Sequence, residues 1–175
     1  MESLKKILAP TDLSDLSCAG LRYALEMGRS CTAEVIVYHV IDLGDHWIKR
    51  EDSGPVREML ERHRRMLNKL LWEKFREEMI LTEVRQVVEF GGASDNIVEK
   101  AESEQVDRIV MSTHGRTGID RLLMGSVAEK VIARAPCPVL IVPAHERGGH
   151  LHQGLGPRVL RGSERRRRSG HLSEE

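Results

Sequence analysis

Apolar residues recur along the chain in two alternating rhythms. Short runs rich in Val, Ile and Leu fall at 4–9, 35–40, 83–90, 106–112 and 138–142. Such runs are the signature of strands buried on both faces. Between them, apolar residues return every three or four positions, as on one face of a helix. The first helical stretch puts Cys18, Leu21, Ala24, Leu25 and Gly28 on a common face, with Ser14 placed to cap it. The second runs from about 56 to 79. Its buried stripe is Met59, Leu60, His63, Leu67, Leu70, Leu71 and Phe75, and Glu and Arg crowd the opposite face. His63 has no second ligand-type residue beside it, so it reads as a packed or edge histidine. The third helix follows Gly91-Gly92, is capped by Ser94 or Asp95 and ends near Glu104. The fourth spans 125–135.

Strands alternating with helices predict an α/β domain: an open, five-stranded parallel sheet with helices on both faces. In such a sheet, ligands gather outside the carboxyl ends of the strands, where the winding direction reverses. Three distant segments are expected to meet there. They are Pro10-Thr11-Asp12, Val40-Ile41-Asp42 and the stretch from Met111 through Ser112, His114, Gly115 and Arg116 to Gly125-Ser126-Val127.

That last stretch carries the chemistry. It leaves an apolar run, passes through a glycine-bearing loop and enters a helix opening with Gly125-Ser126. The first N–H groups of a helix have no partner within it, and the helix dipole places partial positive charge on them. A phosphate group suits that position. The Ser126 hydroxyl adds a hydrogen bond to an anion or simply caps the helix. His114 has the chemistry to donate to a phosphate, and Arg116 and Arg121 to neutralise one, or else to remain exposed loop cations. Asp12 either accepts from ribose hydroxyls or an adenine amino group, or serves the turn. No partner base for His114 stands out, so no catalytic residue is nominated. The loop lacks the G-K-[ST] ending of a P-loop and the glycine spacing of a dinucleotide fingerprint.

Composition narrows the partners. The chain has 175 residues and zero formal net charge, with no bulk attraction to nucleic acid or anionic membranes. No apolar stretch approaches the roughly 18 residues of a spanning helix, and no apolar signal region opens the chain. Cytoplasm is the expected compartment. Cys18, Cys31 and Cys137 form no CxxC, and the first two fall near opposite ends of one helix, about 20 Å apart at ~1.5 Å per residue. That spacing excludes a bridge between them. No metal site is marked. Residues 1–144 read as one domain. Residues 145–175, with six glycines and seven arginines, read as a structureless basic tail. Its Arg165, Arg166, Arg167 and Arg168 are the one place where nucleic acid or an acidic partner could attach, although no aromatic residues interleave with them.

The chain resembles the universal stress protein family. The family's ATP signature is glycine, two residues, glycine, nine residues, then glycine and serine or threonine. Here the second glycine is Gly115 and the ending is Gly125-Ser126, while Ser112 holds the first glycine's place. The stretches KKILAPTDLS at 5–14, YHVID at 38–42 and GSVAEKVIARAPCPVLIVP at 125–143 match it too, so the resemblance covers about residues 3–144. It implies an adenine nucleotide alpha-hydrolase-like fold with strand order 3-2-1-4-5. It further implies ATP, with Mg²⁺ or Mn²⁺, or else AMP or ADP, held by a stress-response regulator rather than turned over rapidly. Asp12 and Val40 would meet the adenosine, with Pro10, Thr11 and Met111 beside them. Ser112, His114, Gly115 and Arg116 would surround the phosphates, and Gly125, Ser126 and Val127 would cap them. A homodimer through strand 138–142 is implied as well, since that apolar edge needs cover. Ser112 also keeps open a second reading, an interaction module of the same fold that binds no nucleotide, and a weak ATPase is a third.

Overall fold

The computed structural model describes residues 4–42, 54–114, 125–144 and 158–160. The elements run β1 (Lys6–Pro10), α1 (Cys18–Cys31), β2 (Glu34–Ile41), α2 (Gly54–Lys74), α3 (Arg76–Ile80), β3 (Val84–Phe90), α4 (Ala93–Ser103), β4 (Arg108–His114), α5 (Ser126–Arg134), β5 (Val139–Ala144) and β6 (Arg158–Leu160). The strands form one sheet in the order β3-β2-β1-β4-β5-β6. The first five are parallel, as the alternating pattern requires, and β6 joins β5 antiparallel.

Strand alternation divides the core. On one face Ile7, Ala9, Val35, Val37, Val110 and Leu140 pack with Leu21 and Leu25 of α1 and with Leu67 and Leu71 of α2. On the other, Leu8, Ile36, Tyr38, Ile109, Met111 and Ile141 pack with Ile97 of α4 and Val131 of α5. Side chains with period two thus serve both helical layers, and the central runs 7–9, 35–38 and 109–111 are buried on both faces, whereas β3 at the edge carries Arg85, Gln86 and Glu89. Cys18 and Cys31 stand at the two ends of α1, as their spacing predicts, and both are free thiols.

Four expectations need correction. The sheet has a sixth strand, taken from the segment whose glycines and arginines predicted no structure. The β5 edge, expected bare, is therefore covered over Val139, Leu140 and Ile141. The long second helix is interrupted at Phe75, whose backbone leaves the helical region (φ −136°, ψ 21°). Its ring stays buried, so the apolar rhythm crosses a break it does not record. Met59, assigned to the buried stripe, is 37% exposed, while full burial on this helix is reached only farther along, at Leu67 and Leu71. Finally, α1 starts only after Ser17, later than a cap at Ser14 predicts, although the Ser14 hydroxyl does accept from the Ser17 N–H and Ser17 makes no side-chain cap.

An ion-pair cluster closes the end of the sheet opposite the strand termini. The Arg85 guanidinium meets both carboxylate oxygens of Glu104 (3.0 and 2.8 Å) and Oε1 of Glu34 (2.6 Å). These bonds hold the Glu104 carboxyl down to about 2. A carboxyl depressed on folding contributes stability that is complete above its ordinary 4.5 and lost as pH falls towards 2. Arg85→Met is therefore expected to flatten the pH dependence of the urea midpoint over that window while costing little of the packing. An unchanged slope would contradict the pairing.

Candidate functional site

The ladder between β1 and β4 is short. It links Ile7 to Arg108 and Leu8 to Ile109. Yet β1 continues to Pro10 against β2, and β4 continues to His114 against β5. The two strands part at their carboxyl ends, where the winding reverses, and a cavity of about 220 Å³ opens there.

Each element contributes to its lining. The loop after β1 supplies Pro10, Thr11, Asp12, Ser14, Leu16 and Ser17; β2 supplies Tyr38 and Val40; β4 supplies Met111 and Ser112. Helix α4 adds Ala93 and Ile97, and the start of α5 adds Gly125, Ser126, Val127 and Ala128. Of the residues expected from the sequence, Pro10, Thr11, Asp12, Val40, Met111, Ser112, Gly125, Ser126 and Val127 are brought together. His114 ends β4, and Gly115, Arg116 and Arg121 lie outside the described residues. Tyr38, Leu16, Ala93, Ile97 and Ala128 were missed, because an apolar residue facing a cavity has the same sequence pattern as one facing the core.

The loop after β1 is tied down by its own polar side chains. Asp12 Oδ1 accepts from the Ser14 N–H (3.0 Å) and the Ser14 hydroxyl (2.5 Å). The Ser14 hydroxyl accepts from the Ser17 N–H (3.2 Å), and Thr11 Oγ1 accepts from the Leu13 N–H (3.0 Å). These bonds carry Leu13 into the left-handed region, at φ 66°, which non-glycine residues rarely enter. Partial burial pushes the Asp12 carboxyl up, but the bonds from Ser14 and Ser17 outweigh it and hold the group below its ordinary value. Asp12 is thus an anion that has kept acceptor capacity at the cavity mouth.

Behind the loop stands a histidine pair. His39, buried on β2, has Nδ1 2.9 Å from the Thr11 carbonyl oxygen. A carbonyl only accepts, so Nδ1 carries the proton and Nε2 accepts from His63 Nδ1 at 2.8 Å. The two rings stack at 5.1 Å. His63 is therefore the packed histidine its position implied. Burial, with the charges of His39 and Arg62, holds its pKa below the ordinary value.

Ser112 turns its hydroxyl to α1. Oγ accepts from the Gly20 N–H at 2.7 Å and donates to the Ser17 carbonyl at 3.3 Å. Gly20 is the third residue of α1, so its N–H is one of those a helix leaves unpaired. A serine on β4 meets it from across the chain, and no side chain within the helix does.

The N-terminus of α5 is different. Gly125 holds the extended cap conformation (φ −61°, ψ 150°) and, as a glycine, brings no side chain of its own to cap the helix. The residues of its first turn, Ser126, Val127 and Ala128, line the cavity. On the far side Tyr38 donates to Glu89 at 2.7 Å, and burial foremost keeps its phenol protonated far above its ordinary range. The cavity therefore offers apolar walls, one carboxylate and one helix N-terminus. Those features suit a flat, partly polar ring linked to an anion. Among the described residues, no group of three or more His, Cys, Asp or Glu side chains is arranged to hold a metal ion, and no helix is long and apolar enough to cross a membrane.

Comparison with known proteins agrees with this architecture. The family model described as "Universal stress protein family" matches residues 3–143. Universal stress protein MJ0531 of Methanocaldococcus jannaschii is 39% identical over 141 residues, spanning 79% of this chain and 81% of that protein. Universal stress protein MJ0577 of the same organism is 35% identical over 154 residues, spanning 79% and 94%. The solved structure of MJ0577 superposes with a TM-score of 0.60 at 28% identity, covering 84% of this chain and all of that one. A universal stress protein solved in complex with cAMP shares the fold, with a TM-score of 0.55 at 21% identity, covering 82% and 100%.

Proposed function

This chain belongs to the universal stress protein family, and from that premise we propose that it is a stress-response regulator that binds ATP at the β1–β4 crevice and acts as a homodimer in the cytoplasm. The observation that carries this reading is the α5 N-terminus. It opens at Gly125, which has no side chain to cap it, and borders an apolar cavity lined by the Asp12 carboxylate. Tyr38, Val40, Met111 and Ile97 would enclose the adenine, and Asp12 would accept from the ribose or the adenine amino group. The N–H groups of Ser126, Val127 and Ala128 would take the phosphates, with His114, Gly115 and Arg116 completing the cradle. That a neighbour of this fold carries cAMP supports an adenine nucleotide as the ligand class.

A divalent ion, Mg²⁺ or Mn²⁺, would arrive on the triphosphate and neutralise its charge. In this reading the nucleotide is held, and no residue is assigned a catalytic role. Ser112 was the residue that favoured a non-binding module, and its hydroxyl is engaged by α1.

A thermal-shift series tests the reading. A ligand at one hundred times its dissociation constant adds about 2.7 kcal/mol, or roughly 5–10 °C for a chain of this size. ATP with Mg²⁺ is expected to give the largest shift, ADP and AMP smaller ones and GTP little. No shift with any adenine nucleotide at millimolar concentration would refute the proposal.

A further inference from the structure

The outer edge of β5 is where structure and expectation diverge. The residues at 158–160 lie antiparallel on it, pairing Val139 with Leu160, Leu140 with Val159 and Ile141 with Arg158. This cover is slight. Among the described residues it reaches half of the six-residue β5. Its hold on the core is the half-buried Leu160, which packs with the cluster containing Val139 and Ile141, while Val159 is left exposed.

The same edge fits a second occupant better. It accepts an antiparallel strand, as β6 demonstrates. Two copies of β5 related by a two-fold axis normal to the sheet are antiparallel by symmetry. Val139 and Ile141 face one layer of the core, and Leu140 and Val142 the other. A paired copy would therefore continue both apolar layers across the junction.

We propose that β6 is a displaceable cap, so that the β5 edge pairs either with residues 158–160 of its own chain or with β5 of a second copy. The basic tail then sets how readily the protein dimerises. The proposal rests on the homodimer part of the function proposed above, not on nucleotide binding. Both partners must uncap before they pair, so the cap equilibrium enters the dimer constant twice.

Sedimentation equilibrium of the full chain tests this, comparing wild type with a Val159→Pro, Leu160→Pro double variant and with Leu160→Asp. Successive N–H groups of a strand point to opposite sides, so one of the two prolines must delete a bond to β5. Leu160→Asp unseats the apolar anchor with the backbone intact. Far-UV circular dichroism verifies that each variant is folded. Both variants are expected to dimerise at least about tenfold more tightly than wild type. Equal dimer constants in all three chains would overturn the cap and leave the dimer standing. Monomers throughout the accessible concentrations would overturn both, and neither result would bear on ATP binding.

Discussion

A Gly20→Val chain is expected to melt roughly 10 °C below wild type. Helix α1 lies so close to β4 that a Cβ on Gly20 would stand 2.8 Å from the backbone nitrogen of Ser112, 2.9 Å from its hydroxyl oxygen and 3.1 Å from the Met111 carbonyl carbon. Two of those three atoms are backbone and cannot swing aside. Valine adds two further carbons to the clash. A glycine within a helix ordinarily costs about 1 kcal/mol relative to alanine, and here the close approach repays it. Forcing the elements apart would cost about 3 kcal/mol, in the upper range for overpacking. It would also break the Ser112–Gly20 hydrogen bond. Ser112→Ala isolates that bond: the Gly20 N–H loses its partner without a clash, for about 1 kcal/mol. A wild-type melting temperature for Gly20→Val would contradict the approach of α1 to β4 on which the crevice depends.

Ser126→Asp is expected to separate stability from binding. Ser126 is the exposed first residue of α5. A carboxylate there meets the positive end of the helix dipole and should stabilise the fold by about 0.5 kcal/mol. The same carboxylate would occupy the N–H groups proposed to hold the phosphates and would repel the triphosphate. ATP affinity should fall about a hundredfold, equivalent to about 2.7 kcal/mol, while the melting temperature holds or rises slightly. Loss of both would mean that the site fails through unfolding. Retention of both would place the phosphates elsewhere.

Much of the architecture was legible because it depends on burial. The five parallel strands must be apolar on both faces, and that requirement appears directly as runs such as 35–40 and 106–112. The buried face of α1 was readable from the spacing of Leu21, Ala24, Leu25 and Gly28. What escaped depends on tertiary partners or on weak local differences. Ser14 and Ser17 carry the same cap chemistry three residues apart. Ser14 donates to Asp12 and accepts from the Ser17 N–H, while the regular helix begins only after Ser17. The break at Phe75 leaves the spacing of Leu67, Leu71 and Phe75 untouched, so periodicity does not register it. Strand β6 has three residues, one of them exposed, amid glycine and arginine. Its pairing comes from β5 and not from its own composition.

The candidate site divides in the same way. Asp12, Val40 and Gly125-Ser126 were found because turn chemistry and strand ends mark them. Tyr38, Ala93 and Ile97 were not, because a cavity wall and a core wall are equally apolar. His63 was placed in the buried stripe without a companion. Its companion is His39, 24 positions earlier on another element, and the pair fixes the Thr11 carbonyl beside the cavity.

The central claim is that this cavity holds an adenine nucleotide, and titration calorimetry of the full chain with ATP and Mg²⁺ tests it most directly. The account predicts a saturable heat at about one ATP per chain, strongly weakened in Ser126→Asp and absent with GTP. A folded wild-type chain that gives no binding heat with millimolar ATP, and from which labelled ATP equilibrates freely in dialysis, would contradict it.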